Sequence, residues 1–187
     1  MTTQWSRLAA GSVLVLLCGA PAAAQDGQGR PVEPPIISDT GALAGLRQPI
    51  FFRHDIHAGK DQIPCLYCHN TVTVSSEPGI PALETCMGCH FLIAGSTDSH
   101  RAEIQKVREA WRDRRPPEWL RVHAVPDFVR FPHQRHIKAL GTASCDQCHG
   151  NVAGMAQVSQ VSTLKMGWCV RCHVERGVTR DCLSCHY

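Results

Sequence analysis

Five copies of one pentapeptide pattern, Cys-x-x-Cys-His, limit what this chain can fold into more than any other feature. They begin at Cys65, Cys86, Cys145, Cys169 and Cys182. Two cysteines three positions apart can form thioether bonds with the two vinyl groups of one porphyrin, and the histidine that follows can bind its iron. The pattern therefore predicts five covalently bound haem c groups, each receiving one axial ligand from its own motif.

The Cys-x-x-Cys spacing alone also occurs in zinc ribbons, iron–sulfur proteins and thioredoxin-like redox sites. A zinc ribbon needs two such pairs per metal ion and has no use for a histidine after every pair. The motifs use ten of the eleven cysteines, which favours haem. The predicted thioether-forming residues are Cys65, Cys68, Cys86, Cys89, Cys145, Cys148, Cys169, Cys172, Cys182 and Cys185. The predicted proximal ligands are His69, His90, His149, His173 and His186.

The segment 1–24 has the features of a secretory signal peptide. Arg7 precedes an apolar run from Leu8 to Ala20, and the small residues at 22–24 offer a cleavage site before Gln25. An uncleaved membrane anchor is the alternative, but the run is shorter than the roughly 20 residues that a spanning helix needs, and Pro21 interrupts it. Export agrees with covalent haem attachment, which takes place on the outer side of the bacterial membrane. We expect the protein at the periplasmic face.

Residues 25–47 are rich in Pro, Gly and Asp and predict an extended linker or arm. Residues 48–187 are then left for one pentahaem domain. The whole chain has only five Phe, four Trp and two Tyr, while 15 Gly and 12 Pro interrupt it often. We expect haem to supply most of the apolar core. The predicted fold is mostly irregular, with short α-helices, little or no β structure, and little stability without haem.

An internal repeat precedes two of the motifs. The pattern Phe-x-His-x-x-His begins at Phe52 and again at Phe131, and each copy is followed by two haem motifs, at Cys65 and Cys86 and at Cys145 and Cys169. The histidine pattern and the two haem motifs that follow it all recur at nearly the same interval. This predicts two copies of a two-haem module, about 51–90 and 130–173, with a fifth haem site at 182–186 added. Two histidines three positions apart lie on one face of a helical turn, so each pair can bind two adjacent irons.

The histidine inventory permits two histidine ligands for every iron. Eleven histidines minus five proximal ligands leave six, and five are needed. His100, in the polar approach to a helix, is the expected spare, although Met166 or His100 would be next in line if His123 were not a ligand. The predicted distal ligands are His54, His57, His123, His133 and His136.

Residues 99–115, between the two copies, predict a helix that Asp98 or Ser99 caps and that Pro116-Pro117 ends. Its narrow apolar stripe, which indicates packing rather than chemistry, consists of Ile104, Val107 and Trp111. A net charge of only +3 and few aromatic residues give no indication of nucleic-acid binding.

The Phe-x-His-x-x-His arrangement followed by Cys-x-x-Cys-His resembles class III multihaem cytochromes c. The segment from Trp119 to His136, followed by the Cys145 motif and by Met166-Gly167-Trp168-Cys169, more closely resembles the pentahaem cytochrome subunit of the alternative complex III family. This resemblance covers about residue 51 to the C-terminus. The 119–136 segment and the Met-Gly-Trp-Cys run are specific, whereas Cys-x-x-Cys-His alone is not.

The resemblance implies an electron-transfer subunit at the periplasmic face of a membrane-bound quinol:electron-acceptor oxidoreductase. Its partners in that family are an iron–sulfur/molybdopterin-like subunit that has lost its pterin and polytopic quinol-binding membrane subunits. The electron acceptor is a monohaem cytochrome c or an oxidase. Such subunits often carry a longer membrane anchor. Since the apolar run at the start of this chain is short, docking on partners would have to replace the anchor and hold this chain at the membrane.

Three functions are compatible with the predicted haem sites, and the number of histidine ligands helps to choose among them. Iron with two protein ligands has no open position for nitrite, peroxide or oxygen, which favours an electron-transfer subunit over an enzyme. A free periplasmic multihaem shuttle is the alternative, and soluble behaviour without partners would select it. A multihaem reductase would require an open haem site, which a high-spin spectrum or a spectral response to cyanide would indicate.

Overall fold

Short helices separated by irregular segments make up residues 43–187, the part of the chain that the computed structural model describes. The predicted signal peptide and residues 25–42 of the predicted linker lie outside the described residues. The α-helices are α1 Cys65–Cys68, α2 Leu83–His90, α3 Asp98–Arg112, α4 His133–Leu140, α5 Asp146–His149, α6 Met166–Glu175 and α7 Cys182–Cys185. A π-helix spans Asp55–Lys60, and 3-10 helices span Asn70–Thr73 and Val152–Gly154.

These residues contain no strand, only an isolated antiparallel bridge between Val129 and His186. The predicted fold class, irregular with short α-helices and little or no β structure, is confirmed. Within the same range no helix combines the length and apolarity that crossing a membrane requires.

Each Cys-x-x-Cys-His motif lies on a helix or ends one. α1 and α7 consist of the four residues from the first to the second cysteine of their motifs, α2 ends at His90, and α6 contains Cys169 to His173. A helical turn places residues three apart on neighbouring positions of one face. The backbone therefore holds both thiols of a motif on one side, as attachment to a single porphyrin requires.

A small apolar cluster joins α2 to α3. Its buried members are Ile50, Met87 and Val107, and the partly buried residues packed against it are Leu83, Cys86, Trp111 and Trp119. Two members of the predicted apolar stripe, Val107 and Trp111, therefore pack here. The cluster fixes the motif on α2 against the longest helix of the described chain.

The bounds of α3 differ from the prediction at both ends. The N-cap is Thr97, whose hydroxyl accepts a hydrogen bond from the His100 N–H at 3.1 Å, so the helix begins earlier than Ser99. The helix ends at Arg112 rather than Arg115. Arg114 has a φ of 51°, and the residue before a proline disfavours helical geometry, so the chain leaves the helix before Pro116.

The two predicted copies pack reciprocally. The π-helix of the first copy contacts the 3-10 helix Val152–Gly154 that follows the Cys145 motif, and α4 contacts the 3-10 helix Asn70–Thr73 that follows the Cys65 motif. The backbone contacts repeat as well: the Asp55 N–H donates to Met155 O at 3.0 Å, and the Gln134 N–H donates to Ser75 O at 3.2 Å. In the repeat Asp55 corresponds to Gln134, and Ser75 corresponds to Met155. Each distal-histidine helix therefore packs on the other copy.

One carboxylate ties the start of the described chain to α3. Glu103 accepts hydrogen bonds from the Phe51 N–H at 2.8 Å and from Lys106 Nζ at 2.6 Å, and its side chain is 19% exposed. Burial acts to raise the pKa of Glu103, but the hydrogen bonds from Lys106 and Phe51 lower it overall from the ordinary 4.5. The charged form is therefore the one that the fold stabilises.

We expect Glu103→Ala to lower the free energy of unfolding by about 1 to 3 kcal/mol, because the Phe51 N–H loses its acceptor. Since the folded-state pKa is depressed, the contribution of Glu103 is present above pH 4.5 and is lost as the pH falls further. Denaturation of the haem-loaded protein at several pH values measures both effects. Glu109→Ala, on the exposed side of α3, is the matched control, and an equal effect of both substitutions would contradict this role.

Candidate haem-binding sites

Three of the predicted distal histidines face predicted proximal histidines. The ring centres of His57 and His90 are 6.0 Å apart, those of His136 and His173 6.2 Å, and those of His133 and His149 6.5 Å. The first of each pair comes from a distal-histidine helix, and the second ends its own Cys-x-x-Cys-His motif. The structure therefore brings together residues that are far apart in the sequence, as ligands on opposite sides of one metal must be.

These separations fit an iron between the rings. A metal bonds an imidazole nitrogen at about 2 Å, and the ring centre lies roughly 1 Å further away, so two opposed imidazoles have centres about 6 Å apart. Among residues 43–187, no group of three or more His, Cys, Asp or Glu side chains is placed to hold a metal ion. A haem iron needs only two axial protein ligands, because the porphyrin supplies the other four.

The repeat predicts a fourth pair, His54 with His69. Burial, followed by the neighbouring imidazoles of His69 and then His57, lowers the pKa of His54 to about 4. His69 is the proximal residue of the Cys65 motif, so His54 and His69 correspond to His133 and His149 in the other copy. A neutral imidazole is the form that binds iron, and burial favours it at both His54 and His149, where burial also lowers the pKa to about 4.

Backbone carbonyls orient most of these imidazoles. A carbonyl acceptor at Nδ1 selects the tautomer with the proton on Nδ1 and leaves the Nε2 lone pair for a metal. The contacts range from 2.6 Å at His173 to 3.4 Å at His69. The Nδ1 partners are Arg53 O for His57, Gly79 O for His69, Ile93 O for His90, Ser76 O for His133, Pro132 O for His136, Thr179 O for His173 and Phe128 O for His186.

Phe52 and Phe131 hold their histidine pairs in the same way. The Phe52 ring stacks on His57 at 4.3 Å and meets His54 edge-on at 4.7 Å. The Phe131 ring stacks on His136 at 4.2 Å and meets His133 edge-on at 4.7 Å. Both phenylalanines belong to the repeated sequence pattern, which by itself assigned them no role. Each phenylalanine stands at the same position before its histidine pair, and this regularity was the sequence signal for a shared role. The structure identifies both as positioning residues.

His123 and His186 are not brought together. His123 meets the His149 ring edge-on at 4.4 Å, whereas the ring that stacks on His186 is Phe128, at 5.9 Å. The Nε2 atom of His123 is buried and has no hydrogen-bond partner. Burial lowers the pKa of His123, which keeps this nitrogen available as a lone-pair donor. Its assignment as a distal ligand stays a prediction.

The two reserve residues lie apart from the paired rings. His100 is in the first turn of α3, with its ring nitrogen Nδ1 3.2 Å from Ser96 Oγ. Met166 begins α6 and is 66% exposed. The ten predicted thioether-forming cysteines are unpaired thiols, and none of them forms a disulfide.

Comparison with known proteins agrees with this geometry. Residues 129–187, which contain three of the five motifs, match the family described as cytochrome c7 and related cytochrome c. The menaquinone reductase multihaem cytochrome c subunit of Nitratidesulfovibrio vulgaris (strain Hildenborough) is 29% identical over 164 residues, which cover 74% of this chain and 76% of that protein. Residues 129–187 are therefore similar to cytochrome c7-type multihaem cytochromes, and this similarity implies covalently bound haem c as the cofactor.

Proposed function

We propose that this chain is an exported pentahaem cytochrome c that transfers electrons as a subunit of a membrane-bound, quinone-linked oxidoreductase. The observation that carries the proposal is the set of three histidine pairs with facing rings, each made of a distal histidine and the last residue of a Cys-x-x-Cys-His motif. When bound, haem c supplies one-electron redox chemistry. The axial ligands that the chain supplies determine whether an iron can bind a substrate or only exchange electrons.

The paired imidazoles close the axial positions. A haem iron held between two such histidines would have no open position for a substrate, so the chain would exchange electrons without binding nitrite, peroxide or oxygen. The carbonyl acceptors at Nδ1 and the stacked phenylalanines hold each imidazole in its binding tautomer and orientation. We infer a non-catalytic role for this subunit within a catalytic complex.

The link to quinone rests on two similarities. The relative from N. vulgaris is named as a menaquinone reductase subunit, which favours electron flow towards quinone. The resemblance of 119–136 and 166–169 to the alternative complex III subunit implies the opposite direction, from quinol to a cytochrome or oxidase. The proposal is electron exchange with a quinone pool through membrane subunits, and its direction is what the experiment below determines.

The proposed partners are an iron–sulfur/molybdopterin-like subunit and polytopic quinone-binding subunits, with a monohaem cytochrome c or an oxidase at the other end. The proposed location is the periplasmic face of the membrane, reached through the signal peptide at residues 1–24. Docking on these partners would hold the chain there.

A haem-stained native gel tests the proposal. Gently solubilised membranes and the soluble periplasmic fraction are run side by side and probed for this chain. We expect the haem stain in the band of a large membrane complex that also contains quinone-binding and iron–sulfur subunits. Migration as a single small soluble species would contradict the proposal and identify a free periplasmic shuttle.

The purified complex then gives the direction of electron flow. Reduction of the haems by added menaquinol that exceeds reduction by a reduced monohaem cytochrome c supports quinol oxidation, and the reverse supports quinone reduction. A haem spectrum that responds to neither would contradict a quinone-linked role. A variant lacking residues 2–24, which we expect to carry no haem, is the control for export.

A further inference from the structure

We infer that a cavity beside the fifth haem-attachment motif is a docking site for an acidic segment of a partner protein. The cavity has a volume of about 590 Å³, and its wall combines two arginines, Arg130 and Arg135, with the ring of Tyr187 and several apolar side chains. The inference rests on the proposed function, which requires partner proteins. It extends that proposal by naming the surface and the chemistry through which one partner binds.

The cavity is separate from the predicted haem sites. No cysteine or histidine of residues 43–187 lines it. The fifth motif contributes only Leu183 and Ser184, the two residues between its cysteines. Residues three apart share a face of a helical turn, so Cys182 and Cys185 lie on a different side of α7 from these two residues. The fifth haem site therefore borders the cavity without accounting for it.

The wall of the cavity is positively charged. Arg130 and Arg135 are exposed, and neither guanidinium forms an ion pair or a hydrogen bond with another side chain of residues 43–187. The Arg130 guanidinium carbon lies 4.6 Å from the centre of the Tyr187 ring, a contact that leaves the N–H groups at its edge available. Glu77 is the one acidic residue among the described residues of the wall. Arginine binds carboxylates through two parallel hydrogen bonds, so the wall suits a carboxylate.

The charge of the surrounding segment has the same sign. Residues 129–187 contain seven Lys and Arg against three Asp and Glu, whereas residues 43–98 contain three against five. An acidic partner is therefore attracted to the second copy rather than to the first.

The first copy shows how the corresponding face is covered there. Ile50, the counterpart of Val129 in the cavity wall, is 6% exposed and packs in the cluster that joins α2 to α3. The Phe51 N–H, the counterpart of the Arg130 N–H, donates to the Glu103 carboxylate of α3 at 2.8 Å. A helix that carries a carboxylate therefore covers this face in the first copy.

In the second copy the short helix α7 takes the place of α3. The Arg130 N–H donates to Cys185 O at 2.7 Å, and α7 has four residues where α3 has fifteen. At the other wall, Gln157 donates to the carbonyls of residues 44–45 at 3.1 and 2.9 Å, whereas its counterpart Glu77 lines the cavity. Among residues 43–187, the segments that cover the face in the first copy thus have no equivalent in the second.

An acidic polypeptide suits this face better than a free anion does. A single carboxylate would engage the arginines but would leave the apolar part of the wall, formed by Val129, Phe131 and Leu183, exposed to water. A partner segment supplies both a carboxylate and apolar contacts, as α3 does in the first copy. Because Leu183 belongs to the fifth motif, such a partner would be held next to the fifth haem site.

Binding of a fluorescently labelled hexaglutamate peptide to the isolated, haem-loaded protein tests the site. We expect Arg130→Gln and Arg135→Gln each to weaken binding roughly 10-fold, because each removes a charged hydrogen-bond donor. Glu77→Gln should strengthen binding, because it removes the like charge from the wall. Arg180→Gln, in the same basic segment but outside the wall, is the matched control and should change the affinity less than about twofold.

Three results of this measurement would overturn the inference. Equal losses in all three arginine variants would show attraction to the overall charge alone. Free glutamate that binds as tightly as the peptide would identify a site for a small anion. A changed haem potential in the Arg130→Gln and Arg135→Gln variants, with unchanged peptide binding, would show that these arginines hold haem propionates.

Cross-linking in gently solubilised membranes identifies the partner. Arg135→Lys keeps the positive charge and adds an amine that a carbodiimide joins to a carboxylate in contact with it. We expect this variant to give a new haem-stained band that contains a second subunit, and Arg180→Lys to give none. An intact membrane complex without a cross-link from position 135 would overturn the docking site. Absence of any membrane complex would instead contradict the proposed function, and the peptide measurement on the isolated protein would still decide the role of the cavity.

Discussion

Serine at both Cys145 and Cys148 is expected to leave the chain without a stable fold. Only five hydrophobic residues are buried within 43–187, and no large side chain there is fully buried. Their burial alone cannot offset the conformational entropy lost on folding. The remaining apolar packing must come from porphyrin, and the Cys145 motif leads directly into the 3-10 helix that packs on the first copy.

The buried hydrophobic residues are Ile50, Val72, Met87, Val107 and Ala156, whereas Leu92, Val74 and Leu183 are 74–91% exposed. Resistance to protease and thermal unfolding of the exported variant measure the loss. The matched control is Cys182→Ser with Cys185→Ser, which removes the fifth haem site, outside the two repeated copies. We expect that control to lose one haem and some thermal stability but to stay folded. Parental protease resistance in the Cys145/Cys148 variant would contradict a haem-dependent core.

The second large effect is expected at His133. Its ring lies 6.5 Å from His149 and nearly parallel to it, at 15° between planes, so His133→Ala removes one of two opposed ligands. An iron with one axial ligand becomes high-spin and accepts an external ligand. We expect roughly one fifth of the haem to change to a high-spin spectrum that added cyanide converts back.

Two further variants control this result. His54→Ala, the corresponding position in the first copy, should produce a high-spin fraction of the same size. His100→Ala, a histidine that faces no proximal ring, should leave the spectrum low-spin. An unchanged low-spin spectrum for His133→Ala would remove this residue from the set of ligands. A high-spin band in the His100 variant would show that His100 binds an iron and that it is not the histidine left over.

The local features of the fold were predictable from the sequence because they depend on neighbouring residues. The helical turns at the Cys-x-x-Cys-His motifs follow from spacing, and the pairing of each Phe-x-His-x-x-His with two motifs follows from the repeat. The helix at Asp98–Arg112 was predicted with a different cap, because the Thr97 hydroxyl reaches the His100 N–H one position earlier than expected. Caps depend on local backbone geometry that a hydrophobic pattern does not record.

The non-local features were not predictable in this way. Nothing in the interval between the two copies shows that α4 packs on the other copy, or that Ser76 O orients His133. The approach is close enough that any side chain at Gly59 would meet the carbonyl of Ala153, a constraint that the sequence expresses only as a glycine. The inventory also left open which iron each distal histidine serves, and the structure places the His123 ring against His149.

The measurement that tests the central claim most directly is the intact mass of the mature protein, together with its reduced haem spectrum. A mass equal to the chain from Gln25 plus five covalently bound haems, with an entirely low-spin spectrum, is the result that this account requires. A mass corresponding to three haems, carried by the motifs within 129–187 alone, would contradict the assignment of five haems and leave the first copy without the cofactor around which we infer that it folds.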